Sequence, residues 1–304
     1  MWPKDIFCLE ELLMFKDILV PLDGSMLAER ALAPAASIAE AMSAKLTLLR
    51  VVPQFAILAA DPMLYEEMNR LGEEESYAYL RSQADDLVLS TPVEVACETG
   101  QPADTVIRYA ENHGIDLIMM SSHGRSGLNR WVYGSVAERV LRQAPCATSI
   151  ISARAAPKEK CQSILVPLDG SELAEQALEP GRGIAAAMGA DLHLLTITTS
   201  AHQMLETSSM REVFDGIQDK EMEDAKAYLQ AICADTPDEH VFIEVEAAQG
   251  AVASSIIEYV DRNGIDMIVM SSHGRTGLRR WVYGSVAEKV LRSACCATMI
   301  IRKR

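Results

Sequence analysis

The chain has 304 residues, the length of about two ordinary domains, and its 43 Asp and Glu against 28 Lys and Arg give a net charge of −15. This acidic balance argues against nucleic acid or an anionic membrane as a partner, because both attract cationic surfaces. Hydrophobic residues make up 49% of the chain and charged residues 23%, proportions that exclude an intrinsically disordered protein. No apolar run approaches the roughly 20 residues of a membrane span.

The cysteines and the first residues of the chain indicate a cellular compartment. There are seven cysteines and no Cys-x-x-Cys spacing, which favours free thiols in a reducing environment over disulfides or a zinc site. Residues 1–14 lack the basic start of a signal peptide, and Glu10 and Glu11 interrupt their apolar stretch. We therefore expect a cytoplasmic protein, with residues 1–14 as an N-terminal extension.

The first half of the chain alternates strand and helix patterns. The strands are continuous apolar runs, typical of a parallel sheet covered on both faces. We predict strands over residues 17–22, 46–52, 93–97, 116–120 and 147–151, and helices over residues 26–42, 65–89, 103–112 and 136–143.

The second half repeats the first. Residues 18–25 (ILVPLDGS) return unchanged at 164–171, and residues 121–142 return at 271–292 with three differences in 22 positions. A repeat of this length indicates domain duplication and not a solenoid. We predict the second set of strands near residues 163–168, 192–197, 241–245, 266–270 and 297–301.

This order predicts an α/β fold made of two tandem, doubly wound, five-stranded parallel sheets. The domains are predicted at residues 15–153 and 161–304, and the polar segment 154–160, which contains Pro157, is the linker. In such a sheet, ligands bind at the carboxyl ends of the strands where the winding direction reverses.

The loop after the fourth strand, residues 121–135, is one candidate site. It joins a strand to a helix and contains glycines, so its backbone N–H groups and the helix N-terminus can bind phosphate oxygens. Residues 121–142 carry a net charge of 4 − 1 = +3 and residues 271–292 one of 5 − 1 = +4, so a basic region lies in an acidic protein. A simpler interpretation stays open: Ser135 and Glu138 form a capping box, and Arg139 and Arg142 are solvated helix residues.

The loop after the first strand is a second candidate. Asp23-Gly24-Ser25 and Asp169-Gly170-Ser171 are ordinary turn and N-cap signals. If the first and fourth strands are neighbours, however, Asp23 faces the phosphate loop across one crevice. Its carboxylate could then accept hydrogen bonds from a ribose or a base.

These two motifs together resemble the universal stress protein family, here as a tandem pair covering Phe15 to Arg304. The resemblance implies an adenine nucleotide alpha-hydrolase-like fold and ATP binding through the pattern G-x2-G-x9-G-[S/T]. It maps the second glycine to Gly124 and Gly274, places Asp23 and Asp169 near the nucleotide, and brings Val51 and Ile197 against adenine. The candidate binding residues of the two domains are Pro21, Leu22, Asp23, Val51, Ser121, His123, Gly124, Arg125, Gly134, Ser135 and Val136, and Pro167, Leu168, Asp169, Ile197, Ser271, His273, Gly274, Arg275, Gly284, Ser285 and Val286.

The chain departs from the pattern at its first glycine, where Ser121 and Ser271 stand. A side chain there costs on the order of 1 kcal/mol if the backbone is left-handed. It costs nothing if φ is negative, and the hydroxyl could then contact the ligand.

The fifth strand of each domain is predicted at a sheet edge, and both are apolar edges that require covering. We expect residues 147–151 and 297–301 to pair antiparallel, which makes the chain a pseudo-twofold dimer, as the family resemblance also implies; a homodimer of whole chains is a further possibility.

Three functions remain open from the sequence. The first is an ATP-binding stress-response or regulatory protein with one site per domain. ADP or AMP are alternative ligands of these sites, and Mg²⁺ can accompany a bound triphosphate. The protein partners of such a regulator are unknown. The second is a slow ATPase or nucleotidyl-transfer enzyme, which lacks an identifiable general base. The third is a nucleotide-free scaffold of the same fold. We predict no catalytic residue and no metal ligands, and we assign His123 and His273 to loop ordering or ligand contact.

Overall fold

The computed structural model describes residues 15–53, 62–122, 133–155, 160–199, 208–233, 240–248, 251–272 and 284–302. The chain divides into two compact units between Lys160 and Cys161. Each unit contains one copy of the sequence repeat, and we treat each as a domain by itself.

The first domain alternates strands and helices as its sequence predicts. Its strands are β1 (Asp17–Leu22), β2 (Lys45–Val52), β3 (Val93–Thr99), β4 (Leu117–Ser121) and β5 (Ala147–Ile151). Its helices are α1 (Met26–Glu29), α2 (Leu32–Met42), α3 (Pro62–Asp85), α4 (Pro102–Asn112) and α5 (Ser135–Gln143).

The second domain has the same order of elements. Its strands are β6 (Ser163–Pro167), β7 (Asp191–Thr199), β8 (Val241–Ala248), β9 (Met267–Ser271) and β10 (Ala297–Ile301). Its helices are α6 (Glu172–Glu175), α7 (Leu178–Met188), α8 (Ser208–Cys233), α9 (Val252–Asn263) and α10 (Ser285–Ser293).

Each domain has a five-stranded, all-parallel sheet. The strand order is β3-β2-β1-β4-β5 in the first domain and β10-β9-β6-β7-β8 in the second. In the first domain Ile18 pairs with Leu46 on β2 on one side and with Leu117 on β4 on the other. The winding therefore reverses between β1 and β4, and between β6 and β9, which confirms the predicted doubly wound α/β fold.

The core explains why the strands are continuous apolar runs. Ile18, Leu19 and Val20 are fully buried on β1, since helices cover both faces of the sheet. Helix α3 packs on β2 and β3, whereas α4 and α5 pack against each other. Successive residues of a strand point to opposite faces, and both faces are buried here. The strands therefore lack the alternating polar residues of a sheet with one face in water.

One helix was wrongly predicted to be continuous. Residues 26–42 were expected to form a single helix, but α1 ends at Glu29 and α2 begins at Leu32. Pro34 is the third residue of α2, where its missing N–H costs no hydrogen bond. In an unbroken helix its ring would clash with the carbonyl of Arg30, so the chain turns there. Pro180 holds the same place in α7.

Two further observations concern the described residues only. None of their six cysteines is in a disulfide bond. None of their helices combines the length and the apolar character needed to cross a bilayer.

Candidate functional site

A crevice opens in the first domain at the carboxyl ends of β1, β2 and β4. Its cavity has a volume of about 560 Å³, within the usual range for small-molecule sites. Because β1 and β4 are neighbours, the loops that follow them face each other across this cavity, as predicted from the winding rule.

Most of the predicted residues of the first domain meet in this cavity. Its lining includes Pro21, Leu22, Asp23, Val51, Ser121, Gly134, Ser135 and Val136. His123, Gly124 and Arg125 lie outside the described residues. The end of β4 and the start of α5 therefore converge with the turn after β1 and with the end of β2.

The turn after β1 is built by Asp23 and Ser25. The Asp23 carboxylate oxygen Oδ1 accepts hydrogen bonds from the backbone N–H of Ser25 at 2.9 Å and from its hydroxyl at 2.6 Å. The Ser25 hydroxyl in turn accepts from Ala28 N at 3.2 Å and caps α1. Gly24 has a φ of +82°, which a glycine adopts without strain. The predicted turn chemistry is confirmed, and the same Asp23 lines the cavity.

Ser121 is accommodated without backbone strain. It is the last residue of β4, pairs with Ile151, and is 6% exposed. Ser271 ends β9 in the same way. Among the residues that the structure describes, Ser43 is the only non-glycine with a positive φ. The conformational cost of replacing the first glycine of the pattern therefore does not arise.

The N-terminus of α5 points at the cavity. The first backbone bond of this helix runs from Glu138 N to Gly134 O at 3.0 Å, so the amides of residues 135–137 precede the intrahelical bonds. Residues 135–137 all line the cavity. Such amides, with the positive end of the helix dipole, favour an anion.

The predicted capping box at this helix is wrong. The N-cap is Gly134, no side chain caps the helix, and Ser135 is its first residue. The Glu138 carboxylate forms an ion pair with Arg142 at 2.8 Å instead of reaching back. A backbone hydrogen bond fixes Gly134 beside the end of β4, since its N–H donates to Ser122 O at 3.0 Å. The serine is therefore placed in the crevice and not used to terminate the helix.

The basic region predicted around the loop is partly neutralised. Arg139 pairs with Asp104 at 2.6 Å and Arg142 pairs with Glu138, so both serve as surface ion pairs, as the simpler interpretation allowed. Neither arginine lines the cavity.

The sequence interpretation missed Arg50. It lies near the end of β2 and lines the cavity, and its guanidinium stands 4.8 Å from the centre of the Tyr79 ring. The Tyr79 hydroxyl donates to Glu29 Oε1 at 2.8 Å. Burial, and then the bond to Glu29, raise the pKa of Tyr79, so the hydroxyl stays a donor.

One face of α3 was also missed. Gly72, Glu75 and Ser76 line the cavity from this helix, and Ser76 is 2% exposed. A Cβ on Gly72 would lie 3.3 Å from Val52 Cγ1 on β2, so the glycine permits close packing of helix on strand. A lone glycine inside a helical pattern was the available signal.

The second domain repeats this frame. Asp169 Oδ1 accepts from Ser171 N at 3.0 Å and from Ser171 Oγ at 2.6 Å. Gly284 is the N-cap of α10 and donates its N–H to Ser272 O at 3.0 Å. The remaining predicted positions that are described lie at the ends of β6, β7 and β9 and at the start of α10: Pro167, Leu168, Ile197, Ser271, Ser285 and Val286. His273, Gly274 and Arg275 lie outside the described residues.

No cluster of three His, Cys, Asp or Glu side chains suited to a metal ion occurs within the described ranges. Asp23 and Glu75 are the carboxylates in the lining of the described cavity.

Comparison with known proteins gives relatives over both domains. A universal stress protein of Mycobacterium tuberculosis is 25% identical over 309 residues, which cover 94% of this chain and 97% of that protein. A universal stress protein of Methanocaldococcus jannaschii is 28% identical over 143 residues, or 47% of this chain and 82% of the relative.

Solved structures share the fold. A universal stress protein from Archaeoglobus fulgidus superposes with a TM-score of 0.68 at 21% identity, covering 95% of this chain and 98% of that one. A functionally unknown protein from Pseudomonas aeruginosa gives a TM-score of 0.67 at 20% identity, covering 95% and 93%. The universal stress protein family itself matches residues 14–152 and 160–302. The crevice of the first domain and the matching turn and helix start of the second thus each lie in a domain of this kind, and the chain belongs to the universal stress protein family.

Proposed function

We propose that this protein is a nucleotide-dependent regulatory protein that binds ATP or a related adenine nucleotide in the crevice of each domain. One observation carries the proposal: the backbone amides of residues 135–137, which precede the first intrahelical bond of α5, and the Asp23 turn line the same cavity of about 560 Å³. The amides suit phosphate oxygens and the carboxylate suits a ribose hydroxyl. The apolar residues Leu49, Val52 and Met120, which also line the cavity, suit the face of a purine.

The geometry supports binding more than chemistry. The Asp23 oxygen Oδ1 already accepts two hydrogen bonds from Ser25 within the turn, which lowers its value as a general base. Occupancy of the crevice can instead change how the end of β4 and the start of α5 are held, since both line the cavity and the ligand would contact both. We therefore propose that ATP acts as a ligand that changes the conformation presented to a protein partner.

The test measures ATP affinity by isothermal titration calorimetry in the full chain and in the double variant Ser135→Glu, Ser285→Glu. A carboxylate in the first turn of a helix is compatible with folding because it faces the positive end of the dipole. It would repel phosphate at the place where phosphate is expected, and we expect affinity to fall by more than about tenfold.

Ser82→Glu is the matched control. It makes the same substitution at an exposed helical serine near the end of α3, away from the cavity lining, and should leave ATP binding unchanged. Unaltered ATP affinity in the double variant would contradict the phosphate assignment. Chromatography of the nucleotide after incubation shows whether ATP is recovered intact, as a binding protein requires, or converted to ADP.

A further inference from the structure

We infer that the two crevices are unequal: the first domain holds the high-affinity nucleotide site, and Arg50 supplies it with a cationic group that the second domain lacks. This inference rests on the proposed function, and it concerns how the two sites divide the binding. The turns and helix N-termini are the same in both domains, whereas residues on the walls of the first cavity differ from their counterparts in the second domain.

The structure fixes which residues correspond on the helical wall. The Tyr79 hydroxyl donates to Glu29 Oε1 at 2.8 Å, and the Tyr228 hydroxyl donates to Glu175 Oε1 at the same distance. The next residue on each helix, Leu80 and Leu229, is fully buried. Helices α3 and α8 are therefore aligned by their packing, with an offset of 149 residues.

This alignment places Glu221 of α8 where α3 has Gly72, seven residues before the tyrosine. Gly72 lines the first cavity, packs closely against Val52 and has no side chain to place in the cavity. Glu221, at the equivalent position of the second domain, is exposed and carries a carboxylate where Gly72 has no side chain. The other acidic residue of α3 that lines the cavity is unchanged in charge, since Glu75 corresponds to Asp224, whereas Glu73, outside the lining, corresponds to Met222.

The strand wall differs as well. Pro21 pairs with Leu49 and Pro167 pairs with Leu195, so the residues that follow, Arg50 and Thr196, occupy equivalent places. Arg50 is half-buried against Tyr79 and lines the cavity. Thr196 is 7% exposed, and its hydroxyl has no hydrogen-bond partner among the described residues.

At these two positions, both of which line the cavity of the first domain, the second domain is more negative by two unit charges. One cation is lost at Thr196 and one anion is gained at Glu221. Two changes of opposite sign, Glu73 to Met222 and Tyr77 to Lys226, fall outside that lining. A nucleoside triphosphate carries several negative charges. Two unit charges on the lining of the cavity, next to the bound nucleotide, change its affinity by on the order of tenfold or more at low salt. We therefore expect the first domain to fill before the second.

The experiment is calorimetric titration of the full chain with ATP at low salt, using variants that disable one site at a time. Ser285→Glu should keep the tight site, and Ser135→Glu should leave only binding weaker by at least tenfold. Arg50→Thr should weaken the tight site about tenfold, whereas Arg50→Lys, which keeps the charge, should stay within threefold of the wild type. The double change Thr196→Arg, Glu221→Gly should strengthen the weak site, and every difference should shrink as salt is raised.

Each contrary result has its own meaning. Two sites of equal affinity in the wild type, or equal loss in the Ser135→Glu and Ser285→Glu variants, would overturn this inference while leaving the proposed function intact. If Arg50→Lys lost as much affinity as Arg50→Thr, the charge argument would be wrong. Absence of any ATP binding by the wild type would overturn the proposed function and this inference with it. Circular dichroism of each variant confirms that it is folded.

Discussion

Substitution of Asp23 separates its role in the turn from its role toward a ligand. In the folded chain its Oδ1 atom accepts from Ser25 N at 2.9 Å and from Ser25 Oγ at 2.6 Å. Hydrogen bonds to a charged acceptor contribute about 1.5–3 kcal/mol each, and partial exposure places these two near the lower end. Asp23→Ala removes both bonds and should lower the free energy of unfolding by about 2–3 kcal/mol.

Asp23→Asn keeps a carbonyl oxygen for the turn and should cost less than about 1 kcal/mol. It removes the carboxylate that we expect to accept hydrogen bonds from the ribose hydroxyls. The wild type should therefore bind ATP about tenfold more tightly than 2′,3′-dideoxy-ATP, a difference of about 1.4 kcal/mol. In Asp23→Asn this discrimination should fall to about threefold or less.

The assay combines urea unfolding with calorimetric titration of both nucleotides in the wild type, Asp23→Ala and Asp23→Asn. The titrations use a Ser285→Glu background, so that only the first domain is observed. If Asp23→Asn discriminated between ATP and dideoxy-ATP as strongly as the wild type, Asp23 would not contact the ribose. If Asp23→Ala were as stable as the wild type, our account of the turn would be refuted.

Three further predictions concern stability and pH. In urea unfolding, Gly100→Ala should destabilise the first domain by more than Gly114→Ala. At Gly100 (φ +156°) a Cβ would lie 2.4 Å from a threonine hydroxyl of α4, whereas at Gly114 (φ +64°) a Cβ contacts nothing and the substitution costs only about 1 kcal/mol. Equal losses of unfolding free energy would contradict this ranking. Leu80→Ala should cost about 2–5 kcal/mol in the same measurement, since the side chain is fully buried between α3 and the sheet. Burial lowers the pKa of His193, whose Nδ1 lies 2.9 Å from the Tyr259 hydroxyl, so the unfolded chain binds the proton first as the pH falls below 6.5. The wild type should therefore lose unfolding free energy relative to His193→Asn below that pH and not above it; parallel pH profiles of the two proteins would refute this.

The sequence predicted the strands well because each is a local, continuous apolar run. Residues 17–22, 147–151 and 297–301 were predicted with the bounds that the structure shows, and the other strands differ only at their ends. Buried parallel strands need apolar side chains on both faces, so the pattern does not depend on knowing the neighbours.

The errors arose where a local signal had a long-range competitor. Ser135 and Glu138 have the spacing of a capping box, yet Gly134 is held by Ser122 and takes the N-cap place. Helical spacing over residues 26–42 concealed a break, although Pro34 was a warning that the chain could not continue through Arg30.

What the sequence determined alone is the duplication, the order of strands and helices, and the two turns whose residues carry their own hydrogen bonds. The tertiary structure decided which residues share the cavity: it brought Arg50 from β2 and Gly72 from α3 to the same cavity, and it paired Arg139 with Asp104. Periodicity is a property of neighbouring residues and can be read along the chain, whereas a cavity wall joins residues tens of positions apart. Their meeting depends on how helix and sheet pack, which no local pattern specifies.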